Sequence, residues 1–337
     1  MTITATQTVD VAIIGGGAAG LSAAVTLARS LRTVVVIDAG APRNAPAAGA
    51  HNLLGREGIA PTELLRAGRA EAIGYGATIR EGTVTAVVRP EHRADSAFEV
   101  QSTGAFEVHS TCAFEVHSTG GPTVVARRLL IATGLVDELP DVAGLAELWG
   151  RDVLHCPFCH GYEVRGRRVG VLGTGPMAMH QAMLFSQLTS HITLIDHGMP
   201  PLTPEQRLQA EVRGIEIIGG PVARVDADAD NRLRAVLFDD GRELELDALV
   251  VAPRMRARAE IYTSLGGTLE DNPMGSIIPA DRTGRTPIDG VWAAGNSVDL
   301  AAMVGASAAA GVQCGAMINV DLIEEDTRRA LGSRVAG

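Results

Sequence analysis

Cys156-Pro157-Phe158-Cys159-His160-Gly161 places two thiols two residues apart, a spacing at which an S–S bond can open and close with little backbone movement. Such a pair moves two electrons at a time. The same spacing is half of a zinc site, and the flanking His155 and His160 are of the right type to extend it. The rest of a tetrahedral set is poorly supplied, because the remaining cysteines, Cys112 and Cys314, stand far apart and form no second Cys-x-x-Cys. Redox use of Cys156 and Cys159 is expected, with no metal. The pair also lies between two glycine-rich turns, each of a kind that holds a cofactor able to take or give those electrons.

The first turn is bracketed by strands. Thr8 to Ile14 is apolar and β-branched, Gly15-Gly16-Gly17-Ala18-Ala19-Gly20 follows, Leu21 to Leu31 has helical spacing, and Thr33 to Ile37 is a second strand ending at Asp38. In this G-x-G-x-x-G pattern Gly15 makes the turn, Gly17 lets backbone approach a pyrophosphate, and Gly20 lets helix and strand pack closely. Asp38 can accept hydrogen bonds from a ribose diol. From Ala39 to Leu54 a loop with Pro42, Pro46 and Gly49 carries Arg43, Asn44, His51 and Asn52, placed to run along a cofactor or to be plain surface. Ala60 to Gly74 reads as an amphipathic scaffold helix. After the thiol pair the pattern repeats: strand Arg168 to Leu172, the turn Gly173-Thr174-Gly175-Pro176-Met177-Ala178, helix Met179 to Leu188, and strand Ile192 to Ile195 ending at Asp196.

Elsewhere, residues 97 to 120 are three tandem octapeptides, read as an enlarged β-meander, and Cys112 within them is a bystander. Asp239-Asp240-Gly241 signals a hairpin, Ala248 to Ala252 a buried strand, and Val291 to Asn296 a strand entering a small-residue helix. Leu300 to Val320 is uncharged and about long enough to cross a bilayer, but its Ala, Gly, Ser and Met suit close packing inside a domain better.

Length and charge set outer limits. A chain of 337 residues with 46% hydrophobic and 20% charged residues suits about two domains of roughly 100–200 residues each. A net charge of −10 disfavours nucleic acid and anionic membrane surfaces as partners. With no secretory pattern over Met1 to Asp10, a reducing cytoplasm is expected, where Cys-x-x-Cys is catalytic.

The order of a Gly-rich motif, Ala132-Thr133-Gly134, Cys-x-x-Cys, a second Gly-rich motif and Gly295-Asn296 resembles the low-molecular-weight thioredoxin reductases over nearly the whole chain. The Cys-Pro-Phe-Cys-His-Gly-Tyr-Glu form resembles in particular their gliotoxin- and holomycin-type dithiol oxidase branch. The resemblance implies an α/β fold of two Rossmann-like three-layer (ββα) dinucleotide-binding domains, the second inserted into the first. Expected bounds are 1–140 and 255–330 for the FAD domain, 141–254 for the NAD(P)-binding-like domain with the thiol pair, and 331–337 for a tail. FAD is expected on Gly15, Gly17, Ala18, Ala19, Gly20, Asp38, Ala39, Arg43, Asn44, His51 and Asn52, with Ala132, Thr133, Gly134, Gly295, Asn296, Met303 and Val304 completing the site. By the same resemblance Cys159 faces the flavin, Cys156 exchanges with substrate, and the chain is a homodimer.

Three departures from the family pattern bear on function. His160 stands where an acidic proton donor is usual, and an imidazole can do that work. Gly295-Asn296 replaces Gly-Asp, and Met303-Val304-Gly305 replaces Arg-Gln-Ala. The arginines that hold the 2′-phosphate of NADPH are missing from Asp196-His197-Gly198-Met199-Pro200-Pro201-Leu202. The second nucleotide site, Gly173, Gly175, Ala178 and Asp196, is therefore read as vestigial, with use of NADH or NADPH left open. The leading expectation is oxidation of a small-molecule dithiol with oxygen as acceptor. The alternatives are an NAD(P)H-dependent reductase acting on thioredoxin, and a non-catalytic FAD or nucleotide sensor with a zinc-bound Cys pair.

Overall fold

Runs of β-branched residues around the first glycine turn predict strand, helix, strand, and the computed structural model, which describes residues 6–89 and 114–335, has β1 (Gln7–Ile14), α1 (Ala18–Arg29) and β2 (Val34–Asp38). The helix starts three residues before the expected Leu21, because Gly17 is its N-cap and the rest of the glycine turn is already its first turn. Next come α2 (Pro61–Gly74), opening on a proline as expected, then β3 (Thr78–Glu81), β4 (Val84–Val88), β5 (Phe114–Ser118) and β6 (Val124–Ile131). They form one sheet in the order β3-β2-β1-β6-β5-β4, and strand Val291–Ala293 also pairs with β6. The β3 to β6 part is parallel, and β4, β5 and β6 are an antiparallel meander. The third octapeptide supplies β5 and buries Phe114 and Val116. The first two copies, 97–112, and with them Cys112, lie outside the described residues.

Strand periodicity sends alternate side chains to opposite faces. Val11, Ile13, Val34, Val36, Leu130 and Trp292 pack against α1 and the terminal helix Val304–Val335, while Ala12, Ile14, Val35, Ile37, Leu129 and Ile131 pack with Phe114 and Tyr262 on the other side. The terminal helix is long enough to cross a membrane and holds an 18-residue stretch with a mean hydropathy of 1.2, apolar enough for that by composition alone. Its small residues have a packing role. A Cβ on Gly311 would come within 2.0 Å of the Ala19 carbonyl, and one on Gly315 within 3.0 Å of the Ala23 carbonyl. Farther along, Asp321 and Glu325 reach Arg128 of β6 at 2.5 and 2.7 Å, so a guanidinium only 6% exposed is doubly paired.

The chain divides into two units, Met1–Arg43 with Thr62–Val136 and Arg256–Gly337, and Asn44–Pro61 with Asp137–Met255. Apart from shifts of a few residues at 137–140 and 255, this differs from the expected bounds in two places. Residues 44–61 belong with the second unit, where the Asn52 side chain donates to the Phe158 carbonyl and Pro46 lies against Gly150. No separate tail begins at 331, since the terminal helix runs on to Val335.

In the second unit a parallel sheet has the order Glu216–Gly219, Ile192–Asp196, Val169–Gly173, Ala248–Val250, Val153–Leu154. An antiparallel sheet of Val222–Ala227, Leu233–Phe238 and Glu243–Glu245 adjoins it in sequence, and its hairpin turns at Gly241 with φ +86°. Val153–Leu154, buried on both residues, ends two positions before Cys156 and so anchors the thiol segment to this sheet.

Candidate active site

At the carboxyl edge of the first parallel sheet the glycines do what their spacing predicts. Gly15 has φ +104° and a Cβ there would strike the Ala132 carbonyl at 2.3 Å, while one on Gly20 would strike the Gly15 carbonyl at 1.9 Å. Gly17 has open space where a Cβ would stand, and as N-cap of α1 it leaves the first-turn N–H groups without a side-chain cap. That is the arrangement a pyrophosphate needs. Asp38 accepts from the Gly16 N–H at 3.0 Å and is ion-paired with Arg69, which fixes the carboxylate at the end of β2.

Gly295, φ +73°, comes close to Ala19, and the Asn296 amide nitrogen donates to the carbonyls of Asp299 and Ala302 at 3.0 and 2.9 Å. Its Oδ1 is thereby oriented as an acceptor for a polyol. Thr133 spends its hydroxyl on the Arg258 carbonyl at 2.6 Å, and Gly134, φ +72°, receives the Arg258 N–H. Met303 and Val304 sit at the start of the terminal helix. Gly15, Gly17, Ala18, Ala19, Gly20, Asp38, Ala39, Ala132 to Gly134, Gly295, Asn296, Met303 and Val304 thus share one unit. Arg69, on a helix read only as scaffold, is a residue the sequence reading missed.

The thiol segment is a single helical turn, Pro157–His160, with Cys156 as N-cap and Pro157 at the first position, where its missing N–H costs nothing. Cys159 Sγ lies 2.6 Å from Cys156 Sγ. Gly161 is required for shape, since a Cβ there would meet the Pro157 carbonyl at 2.2 Å and Leu188 at 2.4 Å. His155 Nδ1 donates to the Val251 carbonyl at 3.0 Å, which fixes its ring beside the nearly buried Gln181. Among the described residues no three His, Cys, Asp or Glu side chains gather as a metal site. Burial, foremost, pushes the His160 imidazole below its ordinary pKa, against the charge of Glu163, which raises it; His51 lowers it further. Cys314 is inert, its thiol pushed up to about 12 by burial.

The loop read as running along a cofactor or as plain surface touches this thiol segment. Ala50 and Ile59 bridge across it, and between them Asn52 adopts φ +59° and donates its amide to the Phe158 carbonyl at 2.6 Å. His51 Nδ1 meets Glu57 at 2.7 Å and His51 Nε2 meets Glu163 at 3.5 Å. The hydrogen bond from His51 is the main cause holding the Glu57 carboxyl below the usual range. Asn44, His51 and Asn52 are therefore in the unit that holds the thiols, while Arg43 ends the preceding segment of the other. Glu57 and Glu163 went unnoticed in the sequence, although Glu163 closes the motif Cys-Pro-Phe-Cys-His-Gly-Tyr-Glu.

At the second glycine turn Gly175 has open space, but Met199 packs behind Gly173, where a Cβ would meet its sulfur at 2.6 Å. The Ala178 N–H is turned to the Gly175 carbonyl at 3.2 Å, and Pro176 has none to offer.

A glycine-lined dinucleotide turn in one unit, and in the other a thiol pair followed directly by a half-buried imidazole, define a flavin-dependent disulfide oxidoreductase. The chain belongs to the pyridine nucleotide-disulphide oxidoreductase family, which it matches over residues 9–314. It is 32% identical to "Thioredoxin reductase tcpT" of Claviceps purpurea over 94% of this chain and 95% of that one, and 29% identical to "Thioredoxin reductase sirT" of Leptosphaeria maculans over the same shares. The crystal structure of HlmI is similar at a TM-score of 0.86 and 40% identity, with 98% of each chain covered. An oxidoreductase from Agrobacterium tumefaciens follows at 0.82 and 32%, over 94% of this chain and 99% of that one. The chain is thus a thioredoxin reductase-like, FAD-dependent enzyme.

Proposed function

We propose that the enzyme oxidises a small-molecule dithiol to an intramolecular disulfide and passes the electrons to oxygen. The observation that carries this reading is the second nucleotide site, where Asp196 is followed by no arginine or lysine through Leu202 and two of the turn's backbone donors are lost. In this reading the electrons enter from the thiol side. Resemblance of the thiol motif to the gliotoxin- and holomycin-type branch supports it. The names of tcpT and sirT favour the second reading, a nicotinamide-dependent thioredoxin reductase. We place the enzyme in the cytoplasm as a homodimer; Val312, Val320, Ile323 and Leu331, exposed along the terminal helix, suit a subunit contact.

His160 takes the proton of the first substrate thiol, and the thiolate attacks Cys156 Sγ of the oxidised pair. The Cys156–Cys159 bond breaks and Cys159 leaves as thiolate. The second substrate thiol then attacks the substrate sulfur of the mixed disulfide, which forms the product S–S bond and releases Cys156. Bound FAD supplies two-electron acceptance from the thiols and delivery to oxygen, giving hydrogen peroxide. Gly17, Asp38 and Asn296 are the residues that would hold and orient it.

A dithiol in air, with neither NADH nor NADPH, is expected to yield one hydrogen peroxide per disulfide formed. Absence of peroxide with FAD-loaded enzyme across a panel of dithiols would remove the oxidase reading. Because burial lowers the His160 pKa, its basic form persists to lower pH than an ordinary imidazole near about 6.5, so the acid limb of the rate profile should fall below that value. His160→Ala is expected to slow turnover by roughly 10²-fold with FAD retained, the scale for losing a positioned acid–base group. An unchanged rate and acid limb would show that another group does this work.

A further inference from the structure

The carboxylate at the end of β2 is held from several sides. Asp38 Oδ1 accepts the Gly16 N–H at 3.0 Å, Oδ2 accepts from the Arg69 guanidinium, and the Asp38 carbonyl accepts the Gly82 N–H at 2.9 Å. The glycine turn comes so close that a Cβ on Gly16 would meet Asp38 Cγ at 2.7 Å, so only glycine leaves the carboxylate where it is. Little water reaches the pair, because the Asp38 side chain is 15% exposed and that of Arg69 25%. In the parallel register of β2 and β3, Asp38 stands beside Glu81, whose carboxylate lies 3.9 Å from the other arm of the same guanidinium. Arg69 of α2 is thus a cation between two carboxylates at neighbouring strand ends.

An ionised carboxylate offers about four lone-pair sites. The Gly16 amide and the Arg69 guanidinium take one each, on different oxygens, and two such donors keep the plane of the group from turning. The remaining sites are then fixed in direction, ready to accept from two hydroxyls on adjacent carbons, as in the ribose of adenosine. Without Arg69 the carboxylate would be left with the Gly16 N–H, little water and Glu81 beside it, and the orientation a diol needs would no longer be enforced.

We propose that Arg69 is the positioning residue for the adenosine half of FAD, acting by holding Asp38 for the ribose diol. FMN lacks that ribose and should be indifferent to it. Full-length protein freed of flavin, titrated with FAD and with FMN and followed by flavin fluorescence, tests this. Arg69→Met is expected to weaken FAD binding by about 10- to 100-fold, the scale of hydrogen bonds to a charged group, with FMN affinity within about twofold of wild type. The melting temperature of the flavin-free protein should not move. Arg69→Lys, which keeps a charge but loses the planar fork, should recover part of the loss. In an Asp38→Asn background, Arg69→Met should add little, since the group it acts through is gone. Glu81→Gln, at an exposed carboxylate, is expected to leave FAD affinity as it is.

Wild-type FAD affinity in Arg69→Met would overturn the proposal. So would FAD and FMN weakened by the same factor, which assigns Arg69 to the shape of the turn, or losses from Arg69→Met and Asp38→Asn that simply add. Unchanged FAD affinity in Asp38→Asn would remove the ribose contact and the proposal with it. Should Arg69→Met not fold, Arg69→Gln is put through the same comparison with the same outcomes. None of these measurements depends on which donor reduces the enzyme, so their result stands apart from the oxidase reading.

Discussion

Cys159→Ser enzyme is expected to turn over dithiol at least about 10⁴-fold more slowly than wild type and to lack long-wavelength absorption from a thiolate against oxidised flavin. Serine cannot form the S–S bond that the reaction opens, so no slower route through the same chemistry remains. Cys156→Ser should be equally inactive with substrate but should keep or strengthen the long-wavelength band, because Cys159 is then the lone thiol of the pair. The two variants are nearly isosteric with the native residues on a turn fixed by Pro157 and Gly161, so FAD content and melting temperature should be unchanged. Spectra of both proteins at pH 8, beside peroxide assays, decide the matter. A band in Cys159→Ser that is missing in Cys156→Ser would exchange the roles of the two sulfurs.

The second large effect concerns nicotinamide. A 2′-phosphate carries close to two negative charges, and each unit pair about 4 Å from a carboxylate costs on the order of 4 kcal/mol at a surface-like effective dielectric, about 10³-fold in affinity. Asp196 ends the strand after the second glycine turn, and residues 197–202 contain no Lys or Arg. NADPH is therefore expected to reduce the flavin no faster than NADH, and both far more slowly than a dithiol does. Stopped-flow mixing under argon measures this. Fast, saturable bleaching at micromolar NADPH would sink the oxidase reading and restore a reductase acting on thioredoxin.

Much of this protein is written locally. Two strand-turn-helix-strand units could be read from glycine spacing and β-branched runs because Gly15 and Gly20 meet backbone from within a few residues of sequence or from the adjoining strand, contacts that the fingerprint itself demands. The thiol pair was equally legible, since residues three apart are neighbours in any turn. What the sequence could not show is where long connections lead. The loop 44–61 follows a strand that ends at a cofactor residue, and adjacency along the chain suggested that it runs on over the cofactor. Tertiary structure adds a contact that chain order does not show, one amide of this loop on the Phe158 carbonyl across 106 positions. His51, Glu57 and Glu163 become one group only by that contact, as Arg69 and Asp38 do across 31 positions. Spacing fixes what a turn can hold, because its geometry is covalent; which distant carboxylate orients an imidazole depends on packing between segments whose separation in sequence carries no distance.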